Sequence, residues 1–142
     1  MTFVVDSSVT VAWCFEEERT PATATLLAQA MNFGAAAPSL WPLEVLNALL
    51  MAEKRKRLDS TRRHELISAL QSMPITLDTE TATQAWSTTT RLAERHRLTL
   101  YDAAYLELAQ RLELPLATLD ADLRQAAKNL SVPLLGMPND TV

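Results

Sequence analysis

The stretch TFVVDSS, residues 2–8, contains the pattern from which the fold can be predicted. Thr2–Val5 has high strand propensity and no charge, which is typical of a buried strand in a parallel sheet. Asp6 follows at once, and its carboxylate can accept hydrogen bonds from the free N–H groups at the start of a helix. The apolar run Val9–Phe15 continues as that helix. The stretch therefore predicts a buried strand that passes directly into a helix.

The same alternation of strand and helix continues along the chain. Short apolar runs predict five strands, at residues 2–5, 35–38, 75–77, 116–119 and 132–135. Helical periodicity and capping residues predict the helices between them, at residues 9–15, 21–32, 41–57, 59–73, 79–96, 101–112 and 121–130. Strands that alternate with helices imply an α/β fold with a mostly parallel sheet flanked by helices. We expect a single domain over residues 1–142, with a frayed tail from residue 137.

Composition limits the classes of function. The chain has 142 residues and a net charge of −4, whereas strong non-specific nucleic-acid binders are usually basic. This balance still allows an enzyme with a local basic patch. Only Gly34 and Gly136 are glycines, so P-loops and dinucleotide-binding loops are excluded. Cys14 is the single cysteine, which fits a reducing cytoplasm. No apolar stretch is long enough for a membrane span, so we expect a soluble, cytoplasmic protein.

Four carboxylates stand where the predicted strands end or the predicted helices begin: Asp6, Glu44, Asp102 and Asp120. In open parallel sheets, functional sites form outside the carboxyl ends of the strands, so the topology should gather these acids. Partly buried carboxylates repel one another and raise one another's pKa unless a cation lies between them. Hard oxygen ligands favour Mg²⁺, with Mn²⁺ as a substitute.

A plainer interpretation is that each acid only stabilises a helix start. Asp6 and Asp120 occupy positions where Asp is a common N-cap, and Asp102 lies in a first helical turn, where carboxylates are favourable. Glu44 fits this interpretation less well, because it lies in an otherwise apolar segment with Asn47 one turn later. The role of Asp122, an additional acid beside Asp120, stays open.

The segments around these acids resemble a known family. VVDSSV, PSLWPLEVLNALL, LTLYDAAYLELA and LATLDADL are similar, in this order, to the four signature segments of PIN-domain nucleases, and more closely to those of VapC toxins from toxin–antitoxin systems. The resemblance implies a PIN-like three-layer fold. It also implies that Asp6, Glu44, Asp102 and Asp120 are the metal-binding and catalytic acids. In the family the first and third acids most consistently hold Mg²⁺, and the others often act through water.

The resemblance further implies supporting residues and partners. Ser8, Asn47 and Thr118 match small polar residues that adjust the metal site. The first two helices help to form the groove for an antitoxin in this family, so Trp13, Phe15, Leu27 and Met31 are candidate antitoxin contacts. A cognate VapB-type antitoxin and a homodimer are expected as partners.

Arg55 and Arg57 lie in the basic cluster KRKR, residues 54–57. The cluster suits a solvated helix C-terminus, and the functional alternative is contact with the phosphates of RNA. Trp13, Trp41 and Trp86 could similarly stack on bases, although their apolar neighbours favour packing.

The sequence thus predicts a Mg²⁺-dependent endoribonuclease of the VapC type, acting on tRNA or rRNA. One alternative is a PIN nuclease that acts on DNA or in RNA processing, with the same site. Another is a non-catalytic interaction module whose acids are caps. A receiver-like phosphorylation switch is disfavoured, because no pair of acids directly follows strand one and no lysine lies near strand five.

Overall fold

The structure is a computed structural model that describes residues 1–140. Five parallel strands form one sheet: β1 (Val4–Val5), β2 (Ala35–Ala37), β3 (Ile75–Leu77), β4 (Leu116–Ala117) and β5 (Leu134–Leu135). Their order across the sheet is β3-β2-β1-β4-β5. The predicted α/β class is confirmed, and the sheet is parallel throughout.

Helices cover both faces of this sheet. They are α1 (Ser7–Cys14), α2 (Pro21–Phe33), α3 (Trp41–Lys54), α4 (Ser60–Gln71), α5 (Thr81–Gln84), α6 (Thr90–His96), α7 (Leu100–Leu112) and α8 (Ala121–Asn129). A short 3₁₀ turn spans Glu16–Glu18, and a π-helical turn, Ala85–Thr89, joins α5 to α6. Right-handed crossovers send α1–α4 to one face, because the chain there moves from β1 towards β3. They send α5–α8 to the other face, where the chain crosses back to β4 and β5.

The central strand lies in the middle of the core. Val4 pairs with Ala36 on one side and with Leu116 on the other, and Val4 and Val5 are fully buried. The small side chains of β2, all alanine, are buried as well. A sheet covered on both faces needs such uninterrupted apolar strands, which explains why the TFVV run is a reliable signal.

Helix ends account for most of the differences from the predicted boundaries. Helix α3 ends at Lys54, three residues earlier than predicted, because Arg57 N–H donates to Ala52 O and Lys56 adopts a left-handed backbone. This is a Schellman-type end without glycine, so the sequence carries no stop signal. The predicted helix at residues 79–96 is interrupted by the π turn, where the Thr90 hydroxyl donates to the carbonyl of Ala85, at 2.6 Å.

The end of the described chain is held against the body. Arg124 on α8 pairs with the carboxylate of Asp140, and the Asp140 side chain also accepts from Met137 N–H at 2.8 Å. Contacts therefore reach residue 140, inside the segment for which the sequence predicts fraying. Residues 141 and 142 lie outside the described part of the chain. No helix within residues 1–140 has the length and apolar character needed to cross a bilayer.

Candidate active site

The order of the strands determines where a site can form. From β1 the chain proceeds outward to β2 and β3, then returns to the opposite side of β1 to form β4. The carboxyl ends of β1 and β4 therefore border the switch point, where loops diverge and leave a crevice. Asp6 directly follows β1, and Thr118 directly follows β4. The fold thus brings together two residues that are 112 positions apart in the sequence.

The Asp6 carboxylate is buried and held by three donors. Its side chain is only 3% exposed. One oxygen, Oδ1, accepts from the Ser8 hydroxyl at 2.7 Å and from Val9 N–H at 3.0 Å. The other, Oδ2, accepts a short hydrogen bond from the Thr118 hydroxyl. The bond to Val9 caps α1, so Asp6 is indeed an N-cap, but the two hydroxyl donors go beyond what a cap requires.

The hydroxyls of Ser8 and Thr118 also join the two strand ends. Ser8 Oγ accepts from Leu119 N–H at 2.9 Å, and Thr118 Oγ1 accepts from Asp120 N–H at 3.0 Å. Each hydroxyl therefore donates to Asp6 and accepts from the loop after β4. The orientation of Asp6 is determined by this closed set of hydrogen bonds.

Burial has a clear effect on the acidity of Asp6. Desolvation raises the pKa of Asp6 from 3.8 to about 6. The hydrogen bonds from Thr118, Ser8 and Val9 oppose that rise, and the negative charge of Asp102 adds to it. A carboxylate that is buried beside another acid would be stabilised in its ionised form by a nearby cation.

Glu44 and Asp102 approach from opposite faces of the sheet. Glu44 lies in the first turn of α3 and Asp102 in the first turn of α7. The fully buried Tyr105, one turn after Asp102, donates its hydroxyl to Glu44 Oε1 at 2.6 Å. This bond links the two helical layers across the edge of the sheet. The burial and the negative charges around it raise the pKa of the Tyr105 phenol, so the phenol remains a proton donor.

Asp102 is the centre of the acidic cluster. Its pKa is raised first by desolvation, then by the charges of Asp120 and Glu44, with a smaller contribution from Asp122. The structure therefore brings the four predicted acids into one neighbourhood. Neither Glu44 nor Asp102 caps its helix, since α3 has no side-chain cap and Thr99 caps α7. Capping accounts for Asp6 and Asp120, but it leaves the other two acids unexplained.

The two acids near β4, Asp120 and Asp122, differ in their contacts. Asp120 caps α8 by accepting from Leu123 N–H at 2.9 Å, whereas Asp122 is exposed. Asn47 is also exposed, and among residues 1–140 its side chain has no hydrogen bond with Glu44. The partner of Glu44 is Tyr105, which the sequence reasoning missed. Its position three residues after Asp102, on the same helical face, was the available signal.

A second residue that the sequence reasoning missed, Arg124, holds the backbone of Thr118. Arg124 is 7% exposed, and it donates to the carbonyl of Thr118 at 2.7 Å and to that of Leu135 at 3.4 Å. Gly136 lies close by with φ +120, and a Cβ there would be 3.3 Å from the same Thr118 carbonyl. The backbone of Thr118 is thus held on both sides. No local sequence pattern indicates this arrangement.

The donor set fits a divalent cation of the Mg²⁺ type. All four acids offer hard carboxylate oxygens, and no histidine or cysteine is among them. Within the described residues, no three His, Cys, Asp or Glu side chains are grouped tightly enough to form a ready-made metal cage. Magnesium usually binds through one or two carboxylates and keeps several waters, so two acids of this set would be enough to hold it.

The predicted RNA contacts lie away from the acids. Arg55 follows the C-terminal end of α3, eleven residues after Glu44, which corresponds to about 16 Å along the helix. Arg57 donates to Glu17 and Glu18 and lies over the Phe15 ring, 4.3 Å from its centroid. Contact of Arg55 and Arg57 with RNA stays a prediction, and these positions argue against it.

The candidate antitoxin contacts divide into buried and exposed residues. Trp13 and Phe15 are 5% and 6% exposed, and the Trp13 indole N–H is bonded to the carbonyl of Thr23 at 2.8 Å. Both belong to the interior of this chain and do not present a surface to a partner. Met31 is 53% exposed and Leu27 is partly exposed, so these two remain accessible on α2.

Comparison with known proteins identifies the class. The model of the PIN domain family matches residues 3–129. The chain therefore belongs to the PIN domain family, as its resemblance predicted.

Among curated proteins, Ribonuclease VapC3 of Pyrobaculum aerophilum is 29% identical over 133 residues, which cover 94% of this chain and 100% of that protein. Three solved structures share the fold. PAE2754 from Pyrobaculum aerophilum has a TM-score of 0.67 and 24% identity, covering 89% of this chain and 86% of that one. VapC20 from Mycobacterium tuberculosis, described as a sarcin-ricin loop cleaving toxin, has a TM-score of 0.63 and 17% identity, with 88% and 95% covered. FitAcB from Neisseria gonorrhoeae also has a TM-score of 0.63, with 14% identity and coverage of 89% and 94%.

Proposed function

We propose that this chain is a Mg²⁺-dependent endoribonuclease toxin of the VapC type that hydrolyses phosphodiester bonds of RNA. The observation that carries the proposal is the environment of Asp102. Three other carboxylates act on it from α3 and α8, opposite the buried Asp6. A cluster of this kind costs stability unless a cation compensates for it. The similarity to Ribonuclease VapC3 supports RNA as the substrate.

Asp6 and Asp102 are the proposed direct ligands of the cation. Glu44 and Asp120 lie outside them and orient water by hydrogen bonds, with Mn²⁺ able to replace Mg²⁺. When bound, the cation supplies Lewis-acid activation of the phosphodiester and of the attacking water. The chain's own contribution is positioning, since Ser8 and Thr118 hold Asp6 and Tyr105 holds Glu44. Fixed ligands of this kind need no reorganisation during the reaction.

The proposed partners follow from the family. They are an RNA of the tRNA or rRNA class as substrate, a VapB-type antitoxin that blocks the site, and a second copy of the chain in a homodimer. The exposed residues Leu27 and Met31 on α2 are candidate antitoxin contacts. We further propose that the protein acts in the cytoplasm as a single domain. Light scattering of the purified chain tests the dimer directly.

The test is cleavage of a pool of total tRNA and rRNA in the presence of Mg²⁺ or Mn²⁺. Discrete products are expected with either metal, and none with EDTA. Asp6→Asn should also give none, while Asp59→Asn, at the exposed cap of α4, serves as the matched control and should cleave normally. Cleavage that persists in EDTA, or in Asp6→Asn, would contradict the proposal.

A non-catalytic interaction module is the second candidate, and one observation favours it. Asp6 and Asp120 do cap α1 and α8, as that function requires. It predicts no cleavage and no change of melting temperature on addition of Mn²⁺. The nuclease proposal predicts both RNA cleavage and a change of melting temperature on addition of Mn²⁺. A DNA-acting nuclease would share the metal response but would cleave single- or double-stranded DNA in place of RNA.

A further inference from the structure

One groove beside the acidic cluster has no role in the function proposed so far. It lies between the end of α6 and the side of α8, and has a volume of about 370 Å³. We call it the basic groove, and it is lined by Arg95, His96, Arg97, Asp122, Gln125, Ala126 and Asn129. A second depression of about 510 Å³ adjoins it, shares Arg95 and extends along α6 to Arg91 and Thr88.

The basic groove lies near the site at its acidic end. Helix α8 begins at the cap Asp120 and carries Asp122, Gln125 and Asn129 along the groove. On the opposite wall, Arg97 ends α6 and lies five residues before Asp102. Asp122 is near enough to Asp102 for its charge to act there. A ligand in the groove would therefore lie near the acids.

The arginines of the groove have no acidic partner. Within residues 1–140, Arg91, Arg95 and Arg97 form no salt bridge, although Glu94 lies among them. The arginines that do form salt bridges are all elsewhere: Arg57, Arg62, Arg63, Arg111 and Arg124. Half of the ten arginines are thus neutralised by carboxylates, while this cluster keeps its charge. Arg91 donates to the Thr88 hydroxyl at 3.3 Å. Guanidinium groups without acidic partners are well suited to bind phosphate.

The spacing of the cluster fits a nucleic-acid strand. Arg91 and Arg95 are four residues apart on α6, which puts their Cβ atoms about 6 Å apart on one face. Successive phosphates of a single strand are separated by a similar distance. His96 also lines the groove, but its Nε2 is buried and therefore does not face a ligand there. Because the chain as a whole carries −4, attraction of a polyanion must come from such a local cluster.

We propose that the basic groove binds the phosphodiester backbone of single-stranded RNA on one side of the bond that is cleaved. Arg95 and Arg97 donate to the phosphates nearest the acids, and Arg91 to the next along the strand. The assignment rests on the proposed function, since it takes RNA as the substrate. It differs from the sequence prediction of Arg55 and Arg57, which lie at the far end of α3.

The test is fluorescence anisotropy of a short single-stranded RNA of mixed sequence, titrated with the chain in EDTA at several salt concentrations. The double variant Arg95→Gln/Arg97→Gln should bind about tenfold more weakly, and the slope of log K against log salt should fall by about 1.4, because each contact to a single strand contributes about 0.7. The matched control is Lys54→Gln/Lys56→Gln, which removes two exposed charges from the end of α3. It should change the affinity by less than about twofold, since distant surface charges are screened.

Two outcomes would overturn the assignment while leaving the proposed function intact. One is unchanged RNA affinity in the Arg95/Arg97 variant, which would direct attention to an acidic protein segment as the ligand. The other is an equal loss in both double variants, which would mean general charge attraction. Absence of RNA binding by the unmodified chain also overturns the assignment. In that case cleavage of the RNA pool decides separately whether the proposed function fails too.

Discussion

The two sides of the acidic cluster are built in opposite ways. On the β1 side, Asp6 is buried, and both of its oxygens accept hydrogen bonds from fixed donors. On the side of α7 and α8, Asp102 is partly exposed, and its nearest charges are carboxylates. Hydrogen bonds offset only part of the cost of burying Asp6. The charges around Asp102 are repelling carboxylates, which a hydrogen bond from Thr99 opposes in part.

This difference indicates that the two sides of the site have different roles. The hydrogen bonds to Asp6 determine its position before any ligand arrives, so that side behaves as a rigid support. The repulsion around Asp102, which the Thr99 hydrogen bond offsets in part, is relieved further by a cation or by protonation. A metal ion should therefore relieve the repulsion on the α7 and α8 side, while the hydrogen bonds to Asp6 keep the geometry.

The largest expected effect comes from removing the charge at the centre of the repelling side. Asp102→Asn should lower the rate of RNA cleavage by about 10³-fold, because the loss of a metal ligand removes several kcal/mol of transition-state stabilisation. Asp122→Asn is the matched control, because Asp122 is an exposed acid that also acts on Asp102. Its rate of RNA cleavage should stay within about threefold of the rate of the unmodified chain, because interactions between exposed charges contribute little free energy. Equal losses of cleavage rate in the two variants would contradict the assignment of Asp102, and not Asp122, as a metal ligand.

The next effect is a dependence of metal-free stability on pH. The pKa of Asp6 is about 6 in the folded protein and 3.8 ordinarily, so the folded state holds this proton more tightly. Its stabilising contribution is complete below pH 3.8, declines as the pH rises towards 6, and is gone above that. The total decline is about 3 kcal/mol in the free energy of unfolding. The raised pKa of Asp102 acts in the same direction.

Urea unfolding in EDTA across this pH range measures the effect, with Asp6→Asn as the reference that lacks the group. The difference in the free energy of unfolding between the unmodified chain and Asp6→Asn should grow as the pH rises and then level off. Mn²⁺ at neutral pH should reverse it for the unmodified chain. A difference that does not vary with pH would show that Asp6 is not the strained acid described here.

A smaller effect is expected for the hydroxyl that joins the strand ends. Thr118→Val keeps the shape of the side chain but leaves Asp6 Oδ2 without its donor and Asp120 N–H without its acceptor. Unsatisfied buried groups of this kind should cost about 2 kcal/mol in the free energy of unfolding. Thr118→Ser retains the hydroxyl and should lose less than half of that. Urea unfolding of both variants measures this difference in stability. Equal stability of Thr118→Val and Thr118→Ser would contradict the prediction.

The smallest effect concerns the link between the two sides. Tyr105→Phe removes the hydroxyl that holds Glu44 but keeps the ring in the core. Metal affinity and cleavage rate should each fall by about tenfold, the lower end of the range for residues that orient metal ligands. Tyr101→Phe is the natural control, because Tyr101 is exposed on the same helix. If both variants bind Mn²⁺ like the unmodified chain, Glu44 does not depend on Tyr105.

The fold and the acids were predictable because their signals are local. An apolar run that ends in Asp6, followed by capping residues, specifies both a buried strand and the edge on which the site forms. Where a tertiary contact determined the structure, the local sequence was a poorer guide. The predicted strand at residues 116–119 ends at Ala117, because Thr118 and Leu119 turn to bond with Asp6 and Ser8.

The residues that sequence reasoning missed act through contacts outside their own helices. Tyr105 reaches Glu44 across 61 residues, and Arg124 bonds to Asp140 and to the carbonyl of Thr118. Trp86 shows the reverse case, because its apolar neighbours favoured packing in the core or at an interface, and its 90% exposure on the π turn excludes the core. Burial of an aromatic side chain depends on which face a helix turns inward, and a π turn shifts that face.

The most direct measurement is calorimetric titration of Mn²⁺ into the metal-free chain at neutral pH, alongside Asp6→Asn, Asp102→Asn and Asp122→Asn. The structure leads us to expect saturable binding by the unmodified chain and by Asp122→Asn, and loss of that binding in both of the other variants. Absence of saturable binding in the unmodified chain would contradict the account, and so would binding that survives the loss of Asp6 or Asp102. In either case the gathered acids would not be a metal site.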